Sequence, residues 1–183
     1  MINENLITEI NATNFKVEKG DNFNGSEVPV SVLTFKNKYG GQENHEPCLV
    51  AYFNDCEECN VNTCFDNLVY GDVLVVGLGL GTIPTYIQKF KNYDSIDVVE
   101  DDAELTSYVD FLHEDINIIT TSDVESYQGS KKYDCVLIEN YYQTDQFNSS
   151  GTMLHNYTPQ LKDQDSVIVC ALINKVYSNA SNV

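Results

Sequence analysis

Beyond residue 70 the chain carries five short apolar runs, at 73–76, 96–99, 116–119, 135–138 and 166–171. Each is nearly continuous rather than alternating, as expected of strands covered on both faces. Segments with helical spacing, at 83–90, 103–112, 124–127 and 153–161, fill the intervals. Strand and helix alternating in this way predict a doubly wound, mostly parallel, right-handed Rossmann-like α/β sheet. Ligands of such sheets sit beyond the carboxyl ends of the strands, where the strand order reverses, so residues just after each run carry the interest. Upstream the pattern is different. Strand-like runs at 14–17, 28–35 and 48–53 are separated by glycine- and asparagine-rich punctuation around Gly20 to Gly25 and at Tyr39-Gly40-Gly41. They predict a small antiparallel β-hairpin or meander, followed by a short helix at 56–68 and a turn at Gly71-Asp72. Residues 1–70 are therefore expected to form an N-terminal β appendage and 71–183 the Rossmann-like domain. The fifth strand falls close to residue 183, which implies a C-terminally shortened version of that sheet.

Composition narrows the partners. An apolar fraction of 42% over 183 residues supports one core of ordinary size. Twenty-eight acidic residues oppose ten basic ones, giving a formal charge of -18, and all ten are Lys. A surface of this sign repels phosphate backbones, and without Arg it lacks the usual bidentate reader of guanine and phosphate. Nucleic acid is excluded as a partner on this reading. A neutral or cationic small molecule fits the charge, which also serves solubility alone. The first ten residues lack the basic start and apolar run of a secretory signal, and no apolar stretch reaches the roughly 18 residues of a membrane helix. The expectation is a soluble, cytoplasmic protein with no membrane partner, able to self-associate through the N-terminal hairpin.

Six cysteines are expected to be thiols in that compartment. Cys135 and Cys170 sit within apolar runs as small buried hydrophobes. Cys48, Cys56, Cys59 and Cys64, with His45 upstream, have a spacing that can assemble zinc ligands, but only one close pair is present. Free thiols are the preferred reading, with no metal.

The first apolar run leads into Gly77-Leu78-Gly79-Leu80-Gly81-Thr82, then a helix with Pro84 in its first turn. Glycines there permit a tight turn and close approach of a ligand to backbone N–H groups at a helix N-terminus. The dinucleotide fingerprint needs Gly-x-Gly-x-x-Gly, which would place glycine where Thr82 stands. Gly-x-Gly-x-Gly is instead similar to the turn of class I methyltransferase-fold proteins, which implies S-adenosylmethionine as the ligand. Gly77, Leu78, Gly79 and Gly81 are the candidate cofactor contacts. About twenty residues on, Glu100 ends the second run, where a carboxylate can accept hydrogen bonds from both hydroxyls of a ribose. Asp101 is a further candidate contact, and Asp101 or Asp102 is expected to cap the next helix. After the third run, Asp123 can accept from an adenine amino group and the Val124 amide can donate to the ring; a helix cap is the equal alternative for Asp123. After the fourth run come Glu139-Asn140-Tyr141-Tyr142. Asn140 is a candidate cofactor contact. Glu139 and Tyr141 are the candidate catalytic residues, the first to accept a proton or steady a cationic sulfonium, while Tyr141 or Tyr142 can pack against its methyl or the adenine.

The stretches Val73-Leu74-Val75-Val76-Gly77-Leu78-Gly79-Leu80-Gly81, Asp97-Val98-Val99-Glu100 and Tyr133-Asp134-Cys135-Val136-Leu137-Ile138-Glu139, preceded by a β-hairpin, resemble the spermidine synthase-like branch of the S-adenosylmethionine methyltransferase superfamily. The resemblance implies a group transfer from S-adenosylmethionine or its decarboxylated form. Where aminopropyltransferases carry Asp in the glycine loop this chain has Leu80, and Glu139-Asn140-Tyr141-Tyr142 replaces their Asp-led acidic motif. Val75 stands where typical methyltransferases have an acid, as in the spermidine synthase-like branch. The expected function is methyl transfer to a small molecule. Aminopropyl transfer to a polyamine is the alternative, and a nucleotide-binding, cofactor-depleting or interaction module the third.

Overall fold

The computed structural model describes residues 7–20, 30–35, 48–51, 68–90, 92–110, 112, 114–138 and 146–170. In chain order its elements are β1 (Ile10–Asn11), β2 (Phe15–Gly20), β3 (Val30–Phe35), β4 (Cys48–Ala51), β5 (Gly71–Val76), α1 (Thr82–Phe90), β6 (Tyr93–Glu100), α2 (Ala103–Tyr108), β7 (Ile116–Thr120), β8 (Cys135–Ile138), α3 (Gln146–Tyr157), a 3-10 turn (Thr158–Gln160) and β9 (Val167–Cys170). The last five strands form one sheet in the order β7-β6-β5-β8-β9, with every neighbouring pair parallel. The chain starts in the centre at β5, works outward through β6 and β7, then returns to the other side for β8 and β9. The order reverses between β5 and β8, whose carboxyl ends therefore flank the crevice.

Why the runs are continuous is visible in the packing. Val73, Val75, Ile96, Val98, Cys135 and Leu137 belong to one buried cluster with Ile83 and Ile87 of α1 and Leu105 of α2. Leu74, Val76, Val99, Val136 and Ile138 belong to a second, with Met153 and Tyr157 of α3. Both faces of the central strands β5 and β8 are dry, so both of their side-chain sets are apolar from Val73 to Val76 and from Cys135 to Ile138. This is a doubly wound, Rossmann-like α/β sheet. Burial also pushes the Cys135 thiol up to about 12, so it stays protonated and unreactive at neutral pH.

The N-terminal strands form a separate antiparallel sheet in the order β1-β2-β3-β4, with a register shift between Ser31 and Val32. β1 is too short for any periodicity to announce it. Ile7, Phe15, Val17 and Leu33 join the same cluster as β5, β6, α1 and α2. Two side chains one turn apart on α2 fasten this edge. Glu104 accepts from the Thr13 and Asn14 N–H groups at 3.0 and 3.1 Å. The Tyr108 hydroxyl donates to the Thr8 carbonyl at 2.7 Å, and its ring meets Phe15 edge-on at 5.7 Å.

One charged group interrupts the apolar run of β6. Asp97 is buried and accepts from Asn117 Nδ2, Lys131 Nζ and the Tyr133 hydroxyl, each at 2.9 Å. Burial alone would raise its pKa, but these donors hold the carboxyl below the usual range. Nearby, Lys162 Nζ bridges Asp72 at 2.7 Å and Asp134 at 2.6 Å. The Lys162 bond, then the Ser95 hydroxyl, hold Asp72 low as well. This polar lattice joins β5, β6, β7 and β8 on the side of α3.

Several boundaries differ from the sequence expectation. No helix forms at 124–127, because Asp123 accepts from the Glu125 N–H at 2.9 Å and the Ser126 hydroxyl at 2.6 Å, closing a local turn that competes with helix. α2 stops at Tyr108 rather than 112. α3 begins at Gln146, well before 153, and gives way to a 3-10 turn at Pro159, which lacks the N–H to continue it. Apart from Leu68, the helix expected at 56–68 lies outside the described residues, as do His45, Cys56, Cys59 and Cys64. Among the described residues no group of three or more His, Cys, Asp or Glu can hold a metal ion, and no helix is long and apolar enough to cross a membrane.

Candidate functional site

β5 ends at Val76 and the chain turns at once. Gly77, Gly79 and Gly81 have φ of 98°, 51° and 78°. Gly81 is required twice over, since a Cβ there would also lie 2.8 Å from Leu112 Cδ2 and 3.1 Å from Val109 Cγ1. Leu78 and Leu80, between the glycines, are buried in the core and anchor the turn from beneath. The Gly77 N–H donates to the Val99 carbonyl and the Gly81 N–H to the Leu78 carbonyl, both at 2.9 Å. The N–H groups of Gly79 and Leu80 meet no acceptor among the described residues. They stand just before α1, whose N-terminus adds its positive dipole end.

Glu100 closes this turn from the side. It is only 4% exposed, and its carboxylate accepts from the Leu78 N–H on one oxygen and from the Asp101 and Asp102 N–H groups on the other, all at 2.9 Å. One side chain thus ties the glycine turn to the entry of α2. Asp102 is the N-cap of α2, accepting from the Glu104 and Leu105 N–H groups at 2.9 and 3.1 Å. Asp101, half-buried, presents its N–H to Glu100.

The third wall follows β7. Asp123 is exposed and Val124 half-buried on a loop without regular structure. The Val124 carbonyl accepts from the buried Tyr157 hydroxyl, the Glu125 carbonyl from Asn156 Nδ2 at 2.8 Å, and the Tyr127 carbonyl from Gln160 Nε2 at 2.9 Å. The Val124 N–H has no acceptor among the described residues. Burial raises the Tyr157 phenol well above its ordinary pKa, so it remains a neutral donor.

The structure therefore gathers Gly77, Leu78, Gly79, Gly81, Glu100 and Asp101 directly, through the bond from Leu78 to Glu100. Asp123 and Val124 stand at the same end of the sheet, two strands away from the glycine turn. Asp123 makes a local turn rather than the helix cap weighed for it. Glu139, Asn140 and Tyr141 lie outside the described residues. β8 does end at Ile138, paired in register with Val76, so the chain leaves the sheet beside the glycine turn. Sequence reasoning missed Asn156, Tyr157 and Gln160, which no local motif marks. It also gave Asp97 no role, although a charge inside a continuous apolar run is a legible sign that partners must surround it.

No protein-family model matches the chain, and no curated protein does. Among solved structures, it is similar to an amino pentose methyltransferase from Micromonospora echinaspora involved in calicheamicin biosynthesis, bound to S-adenosylmethionine: 13% identity, TM-score 0.49, covering 61% of this chain and 48% of that one. A complex of DhpI with SAM and HEP aligns at 12% identity and TM-score 0.47, over 59% and 49% of the two chains. Coclaurine N-methyltransferase bound to N-methylheliamine and SAH aligns at 16% identity and TM-score 0.47, over 61% and 33%. The chain spans about half the length of the first two.

Proposed function

We propose that this chain binds S-adenosylmethionine across the carboxyl ends of β5, β6 and β7 and transfers its methyl group to a small molecule. The observation that carries this reading is the glycine turn itself. Its positive-φ glycines leave no side chain above the backbone, the Gly79 and Leu80 N–H groups point to no protein acceptor among the described residues, and a buried carboxylate stands at its flank. A nucleoside with a carboxylate-bearing tail matches those groups: backbone N–H donors for the tail, Glu100 for the ribose hydroxyls, and Asp123 with the Val124 N–H for the base edge.

When bound, the cofactor supplies an already activated methyl group on a sulfonium. The chain's own work is then to position and to exclude water. Leu78 and Leu80 fix the turn by burial, Glu100 locks it to α2, and Asp101 borders the ribose side. Asn140 would contact the cofactor. Glu139 is assigned to accept the proton of an amine or hydroxyl acceptor, and Tyr141 to face the methyl. The acidic surface favours a neutral or cationic acceptor.

The burial of Leu80 bears on the alternative. An aminopropyltransferase would need an acid at this position, and here the side chain is fully enclosed among hydrophobic neighbours. Incubation with S-adenosylmethionine and a panel of small amines, and separately with its decarboxylated form and putrescine, distinguishes the two. The expected product is S-adenosylhomocysteine from the first mixture. Methylthioadenosine from the second would replace methyl transfer by aminopropyl transfer.

A further inference from the structure

We propose that Tyr157, assisted by Asn156 and Gln160, is a positioning residue that sets the base selectivity of this site, acting through the loop after β7. The proposal rests on the cofactor reading above. That loop has no helix or strand of its own, and besides its local Asp123 turn it is held by a neighbouring segment. Three of its carbonyls, at Val124, Glu125 and Tyr127, are held by side chains of the turn that ends α3 and begins the 3-10 helix. Gln160 is 2% exposed and uses both ends of its amide there, since its Oε1 also accepts from the Gly129 N–H at 3.3 Å. Tyr157 is fully buried, and its hydroxyl is spent on the Val124 carbonyl.

The peptide between Val124 and Glu125 is thus held at both ends. Its carbonyl meets Tyr157, and its N–H donates to Asp123 Oδ1 at 2.9 Å. That second bond also fixes the Asp123 carboxylate. A donor, the Val124 N–H, is left beside a fixed acceptor, Asp123. Adenine offers the complement, an accepting ring nitrogen next to a donating amino group. A 6-oxo purine offers a ring N–H and a carbonyl, so both positions would oppose like to like. Losing the Tyr157 hydroxyl frees the peptide to rotate and blurs the distinction, without removing any group that touches the ligand.

The test is calorimetric titration of S-adenosylhomocysteine and S-inosylhomocysteine into the wild-type protein and into Tyr157→Phe, with a melting curve for each. The wild type is expected to prefer the adenine compound. In Tyr157→Phe, affinity for the adenine compound should fall about tenfold while that for the inosine compound stays within about twofold. Should Tyr157→Phe not fold, Asn156→Ala is expected to shift the ratio the same way by about threefold. Equal weakening of both compounds, or an unchanged ratio, in the folded variant overturns the positioning role. Failure of the wild type to bind either compound overturns the cofactor reading instead.

Discussion

Replacing Glu100 by alanine is expected to weaken S-adenosylmethionine binding by about a hundredfold and to lower the melting temperature in the same variant. The first effect follows from the two ribose hydroxyls assigned to this carboxylate. Hydrogen bonds to a charged acceptor contribute about 1.5–3 kcal/mol each, and about 1.4 kcal/mol is a factor of ten. The second follows from the geometry of the turn, where the same carboxylate is the acceptor of the Leu78, Asp101 and Asp102 N–H groups. Leaving them unanswered at a buried position costs about 3 kcal/mol. Glu100→Gln grades both effects. It keeps the shape and one carbonyl, but its amide nitrogen must face donors on one side, so a loss between wild type and Glu100→Ala is expected in both quantities. Calorimetry and a thermal melt on both variants check this. Unchanged affinity in a folded Glu100→Ala protein would mean that the ribose lies elsewhere.

Asp97→Ala is expected to cost about 3 kcal/mol of stability, or roughly 10 °C in melting temperature for a chain of this size, without a comparable change in cofactor affinity. The loss comes mainly from the Tyr133 hydroxyl, which is buried and donates to Asp97. Lys131 contributes less, because its side chain is 40% exposed and water can replace the carboxylate. The same lattice sets the acid limb of the stability curve. Asp97, Asp72 and Asp134 all titrate below their ordinary value of 3.8 in the folded state. A carboxyl depressed on folding contributes stability that is complete above its unfolded pKa and is lost as pH falls through the folded value. Wild-type stability should therefore drop steeply below about pH 4, and Asp97→Asn, which removes one of these groups, should show a shallower drop. Chemical denaturation between pH 2.5 and 7 measures both. Parallel acid limbs for the two proteins would show that Asp97 carries no part of this linkage.

The sheet was legible because its physics is local and repeated. A strand dry on both faces must be apolar, so 73–76 and 135–138 are continuous runs, while 96–99 and 116–119 are each broken by one polar residue, Asp97 and Asn117, and Gly77 to Gly81 mark where the first run turns. Structure set by bonds to distant residues was less legible. The segment after β7 has the composition of a short helix, yet its carbonyls bond to Asn156 and Tyr157 of α3 and to Gln160 of the 3-10 turn, more than thirty residues away. Glu100 was legible as a carboxylate at a strand tip, but its grip on the Leu78 N–H depends on the parallel register of β5 and β6. The attachment of the N-terminal sheet through Glu104 and Tyr108 was hidden for the same reason. Neither residue stands out on a polar helix face, and their partners, Thr8, Thr13 and Asn14, are bonded through backbone atoms that no side-chain pattern records.

Calorimetric titration of the purified chain with S-adenosylmethionine, its decarboxylated form and NAD in parallel decides whether the glycine turn holds this cofactor. Saturable one-to-one binding of S-adenosylmethionine, weaker binding of the decarboxylated form and none of NAD are expected. Binding of NAD alone, or of no compound, would overturn the cofactor assignment.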